Sequence, residues 1–225
     1  MLRCKVLVAM LLSVALGCKS QGNGQLRDSV KLISEQLKAS PDSIPLRFKK
    51  ASYNLRLGQW EYAKTEYDYI IGRFPQSRTA LFYRAYANER LGRNAFARAD
   101  YEAVLAISPA DFEAQLGLAL VNQKDKRYTE AFDMINRMVH QYPDSAIVYA
   151  IRAGMEKERN MLALAEYDYS EAIRLEPSNT DYILNRADIR IMAGKKEDAR
   201  RDLDMLVKYG IPRASLAELY RKCRK

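Results

Sequence analysis

The chain has 225 residues and carries 37 Lys and Arg against 28 Asp and Glu, a net charge of +9. One histidine and three cysteines exclude a histidine-rich metal centre and a disulfide framework. The positive balance suits nucleic acid, anionic lipid or an acidic protein, and the placement of the basic residues has to choose among them.

Arg3 and Lys5 precede an apolar run from Val6 to Leu16, too short to span a bilayer and of the size of a signal-peptide core. It ends in Ala15-Leu16-Gly17-Cys18, which resembles the bacterial lipobox with its large and small residues exchanged. Ala15-Leu16-Gly17 also satisfies ordinary cleavage after a small-x-small site, and both readings cut before Cys18. A cysteine directly behind the cut, followed by a polar stretch, points to lipidation. Residues 1–17 are thus read as a lipoprotein-type signal peptide, and 18–25 as the lipidated Cys18 with a flexible tether. Acyl chains on both the thiol and the new amino terminus give the multiple anchors that stable membrane attachment needs. Lys19 stands where inner-membrane lipoproteins resembling this one carry Asp. That implies the outer membrane of a diderm bacterium, with the chain facing the periplasm. Cys223 is then the one remaining free thiol, packed in a terminal helix.

Leu26 to Ala39 reads as a helix with Val30, Ile33 and Leu37 on one face. Beyond it Pro41, Pro75, Pro109, Pro143 and Pro177 stand 34 residues apart, a period that marks one supersecondary unit copied and stacked. Alanines recur in the same register, as Ala51 and Ala63, Ala85 and Ala97, Ala119 and Ala131, Ala153 and Ala165, Ala187 and Ala199. Each pair suits two helices crossing where only a methyl group fits, with the proline ending the second helix.

These residues resemble the tetratricopeptide repeat, over units 44–77, 78–111, 112–145, 146–179 and 180–212. Small residues fall at positions 8 and 20 of each unit. A large one falls at position 24: Tyr67, Tyr101, Ile135, Tyr169 and Leu203. The turn position holds Gly58, Gly92, Lys126, Asn160 and Gly194; Lys126 is the poorest left-handed residue, so the third turn is expected to be the least regular. The resemblance implies an all-α, right-handed α-solenoid of five helical hairpins. Capping helices at 26–39 and 213–223 cover its ends, the second through Leu216, Leu219, Tyr220 and Cys223. No linker interrupts the run, so 26–225 reads as a single domain.

Comparing the units places charges against each other. Position 7 is Lys50, Arg84, Leu118, Arg152 and Arg186, and position 23 is Glu66, Asp100, Met134, Asp168 and Asp202. The third unit replaces both charges with apolar residues, which argues that the two positions face each other within a hairpin. Such pairs set geometry rather than perform chemistry.

No nucleophile motif, phosphate loop or zinc signature appears, and His140 has no ligand partner at metal spacing. The reading is a non-enzyme without cofactor or metal. Basic residues spread over every unit, and a secreted chain meets little nucleic acid, so a nucleic-acid partner is not expected. In the resembled family, first helices line a concave binding face. Carried over, that face comprises Phe48, Lys49, Ser52, Arg56, Phe82, Tyr83, Tyr86, Arg90, Leu116, Leu120, Lys124, Ile147, Ile151 and Lys157. Aromatics beside aliphatics with a basic rim suit a peptide that inserts apolar side chains and carries some acid. Phe48, Ser52, Tyr83, Glu113 and Gly117 occupy the positions of the family's carboxylate clamp and none matches it, so that specificity is not expected. The function expected is a membrane-anchored scaffold or adaptor that holds a protein or peptide partner within an envelope assembly complex. The alternative is an adaptor that presents substrates to a periplasmic protease or cell-wall enzyme.

Overall fold

The computed structural model describes residues 22–224; the expected signal peptide, Cys18 and the tether as far as Gln21 lie outside the described residues. Among the described residues there are twelve α-helices, one 3-10 turn and no strand. They fall into two compact units that divide between Asp125 and Lys126. The first unit contains α1 (Asn23–Ala39), α2 (Ile44–Arg56), α3 (Trp60–Arg73), α4 (Arg78–Arg90), α5 (Asn94–Ile107) and α6 (Phe112–Lys124). The second contains α7 (Tyr128–Gln141), α8 (Ala146–Glu158), α9 (Leu162–Leu175), α10 (Thr180–Met192), α11 (Lys196–Lys208), a 3-10 turn (Arg213–Leu216) and α12 (Ala217–Arg224). Within each unit every helix packs on its neighbours in sequence, so both are runs of helical hairpins of the α-solenoid kind.

The periodic prolines act as helix stops. The C-cap N–H groups of Phe74, Ser108 and Tyr142 each donate to the carbonyl four residues back at 2.8 Å, and a proline with no N–H to continue the ladder follows each. Inside each hairpin the chain reverses through one left-handed residue. Gly58, Gly92 and Gly194 have φ of 71°, 74° and 75°, and Lys126 and Asn160 have 61° and 59°. The N–H groups of Gln59, Arg93, Met161 and Lys195 close these turns, each bonding at 2.8 Å to the carbonyl five residues back. At the third turn, expected to be the least regular, Lys126 takes the left-handed φ of its glycine counterparts and so carries on the order of 1 kcal/mol of backbone strain.

All ten paired alanines are at most 1 % exposed, and the hairpins that lie within one unit close on a methyl contact. Tyr67, Tyr101, Ile135, Tyr169 and Leu203 are also buried, each contributing about 1.5–3 kcal/mol of burial. The ends depart from the expected bounds. α1 begins at Asn23, three residues inside the expected tether, and buries Leu26, Ile33 and Leu37. The C-terminal cap opens as a 3-10 turn because Pro212 fixes its entry, its carbonyl accepting Ser215 N–H at 2.9 Å and Ser215 Oγ at 2.7 Å. Leu216 and Tyr220 are its buried residues.

Candidate partner-binding cleft

Phe48, Lys49, Ser52, Leu55 and Arg56 share one face of α2, where residues three and four apart are neighbours. With Tyr67 of α3 and Tyr83 of α4 they line an open cleft of about 410 Å³ in the first unit. Its floor is a run of rings. Tyr83 stacks on Tyr67 with centroids 6.0 Å apart and planes at 17°, while Phe48 meets Tyr67 edge-on at 6.2 Å. Phe82 continues the run, edge-on to Tyr83 at 5.3 Å and to Tyr101 at 5.8 Å. Such pairs each add about 0.5–1.5 kcal/mol beyond area burial and fix one another's orientation, so the floor is rigid. Burial pushes the Tyr67 phenol up, with Tyr83 adding to it; burial and then Glu113 do the same at Tyr83. The floor is therefore neutral, and the charge on the cleft is the positive charge of exposed Lys49 and half-buried Arg56.

Not all the expected binding residues belong to this surface. Tyr86, Leu116, Leu120 and Ile151 are buried, at 6 %, 0 %, 7 % and 5 % exposure, which corrects their assignment to a binding face. Three are aliphatic and have no polar tip to hold at the surface. Tyr86 is held edge-on against Trp60 at 5.8 Å, within the first unit's core. Arg90 lies over the Trp60 ring at 4.8 Å and Lys124 pairs with buried Glu89, so both cations are engaged within the fold. Lys157 likewise pairs with Asp188. Ile147 lines a separate open hollow of about 550 Å³ in the second unit, with Tyr142, Asp144 and Glu176. Two cleft residues escaped the sequence reading. Both are largely buried and line only its base: Leu55 at a concave-face position of the repeat, 7 % exposed, and Tyr67 at position 24, 1 % exposed.

Paired charges tie neighbouring helices in both units, those of the cleft among them. Lys50 Nζ lies 2.7 Å from Glu66, which also accepts from Arg47 at 2.6 Å. Arg84 grips Asp100 through Nε and Nη2 at 2.9 and 2.6 Å; Arg152 grips Asp168 at 2.6 and 2.8 Å, and Arg186 grips Asp202 at 3.1 and 2.7 Å. The third guanidinium nitrogen reaches the preceding hairpin: Arg84 Nη1 to Asp68 at 2.9 Å, Arg152 Nη1 to Asn136 at 3.0 Å, and Arg186 Nη1 to Ser170 at 3.1 Å. Each arginine therefore ties three helices. Beside the cleft, Arg84 joins α4 to both α3 and α5, fixing the separation of Tyr67 from Tyr83. The acceptors Asp68, Asn136 and Ser170 all stand at position 25 of their repeats. At the C-terminal cap Tyr220 takes the arginine's place, its hydroxyl donating at 2.6 Å to Asp204, also a position-25 residue.

A sequence model of the Tetratricopeptide repeat family matches residues 48–112 and 92–146. Among solved structures, the chain resembles PilW, a widely conserved type IV pilus biogenesis factor, with a TM-score of 0.73 and 18 % identity over 90 % of this chain and 92 % of that one. It also resembles a tetratricopeptide repeat protein from Parabacteroides merdae ATCC 43184, with a TM-score of 0.70 and 21 % identity over 90 % and 79 % of the two chains. A third likeness is YrrB, a TPR protein with an unusual peptide-binding site, with a TM-score of 0.57 and 15 % identity over 79 % and 91 %. No curated protein matches the chain.

Proposed function

We propose that this chain, which belongs to the tetratricopeptide repeat family, is a non-enzymatic scaffold that holds a protein or peptide partner in the aromatic cleft of its first unit. The fold is that of a protein-interaction scaffold, and the neighbours named above include a pilus biogenesis factor and a peptide-binding protein. The observation that carries the reading is the cleft itself: a rigid apolar floor bordered by Lys49 and Arg56, open enough for large side chains. An extended partner segment that places an apolar side chain against half-buried Phe48 and Tyr83 and an acidic one at the rim satisfies both features. Lipid on Cys18 would hold this scaffold at the outer membrane, facing the periplasm, where an envelope assembly complex is the partner environment that suits it. Reversing the rim with Lys49→Glu and Arg56→Glu tests the reading. Partner recovery from crosslinked cells is expected to fall at least tenfold with melting unchanged, and unchanged recovery contradicts it.

A further inference from the structure

Position 11 of a hairpin lies beside the acid at position 23. In the α4–α5 hairpin Asn88 Nδ2 donates to Asp100 at 3.3 Å, and in α10–α11 Arg190 Nη1 donates to Asp202 at 2.8 Å. In these two hairpins the place is a donor's place. In α8 it is held by Glu156, a side chain only 6 % exposed, facing Asp168, which is 1 % exposed. Glu156 Oε2 is buried and no donor reaches it. Arg152 grips Asp168 with two nitrogens, so the Asp168 carboxyl has its cation, and Glu156 beside it has none of its own.

We propose that Glu156 is a proton-operated latch on the α8–α9 hairpin: protonated, it donates to Asp168 as Asn88 does to Asp100, and deprotonated, it sets two buried negative charges against each other and loosens the hairpin. The charged groups acting on it are Arg152 from its own helix and Asp168 from α9. α7 approaches this cluster with uncharged Asn136, which accepts from Arg152, and Asp188 of α10 is neutralised by Lys157. Burial first and the Asp168 charge second push the Glu156 carboxyl up to about 7, with Arg152 opposing them. A carboxyl raised in this way contributes stability that is complete below its unfolded value of 4.5. That contribution is lost as pH climbs through the folded value.

Denaturant unfolding of the full chain between pH 5 and 8 tests the latch against Glu156→Gln, which keeps a donor and cannot ionise. Across that range the wild-type unfolding constant is expected to rise roughly 50- to 100-fold more than that of the variant. Parallel pH curves overturn the proposal. Carboxyl-carbon NMR of the wild type gives a reading independent of whether the variant folds: Glu156 titrating near neutrality supports the latch, and Glu156 titrating near 4.5 overturns it.

Discussion

Tyr101 fills the space that a side chain on Gly117 would occupy: a Cβ built there lies 2.5 Å from Tyr101 Cζ and under 3 Å from both flanking ring carbons. The same ring abuts Phe82 and so backs the cleft floor, while its hydroxyl lies 3.3 Å from buried Glu89. Gly117→Ala is therefore expected to cost about 1–3 kcal/mol by overpacking. Tyr101→Ile, the residue type at the matching position of the next unit, is expected to recover part of that loss when combined with it. Urea denaturation of the two variants is the check, and a neutral Gly117→Ala contradicts this packing.

Arg84 and Asp100 give a second test. Removing Arg84 alone leaves a carboxylate of 7 % side-chain exposure with only the long Asn88 contact, an expected loss of about 3–5 kcal/mol. Replacing both, as Arg84→Leu with Asp100→Met, reproduces the Leu118 and Met134 pattern of the third unit and is expected to be nearly neutral. The double-mutant cycle then gives a coupling above the roughly 0.2–1 kcal/mol of an exposed pair. Additive losses contradict the ladder.

The Lys126 turn offers a gain of stability. Its φ of 61° suits glycine, so Lys126→Gly is expected to stabilise the chain by about 0.5–1 kcal/mol, read as a higher melting temperature.

Hairpin positions were legible because they depend on local chemistry repeated five times: a proline that cannot continue a helix and an alanine that lets two backbones approach. Paired charges were legible for a different reason, since one unit lost both members together. The binding face was harder to read. A first-helix position says which way a residue points but not whether the next hairpin covers it, which is why the expected binding face includes buried Tyr86 and Leu116. Bidentate guanidinium geometry also hid the third limb of each arginine, because pairing within a hairpin already accounted for its charge.

Tyr86 now separates from its aromatic neighbours. Because it packs on Trp60 in the first unit's core, Tyr86→Ala is expected to cost about 3–5 kcal/mol of stability. A variant that melts like wild type contradicts its assignment to the core.

The proposed membrane attachment depends on Cys18. Cells fed a clickable fatty acid are expected to label the wild-type chain and not Cys18→Ser. Equal incorporation by both contradicts the anchor.

Ser52→Trp tests the proposed cleft most directly. Ser52 lines the cleft, is half-buried, and donates only to the Lys49 carbonyl of its own helix, so an indole there fills the space above the rings while leaving the core untouched. In-cell crosslinking with mass spectrometry is to be run on wild type and variant in parallel, together with thermal melts. A partner recovered at least tenfold less with Ser52→Trp, at an unchanged melting temperature, is the result predicted. The same partners recovered in the same amounts would contradict the assignment of binding to this cleft.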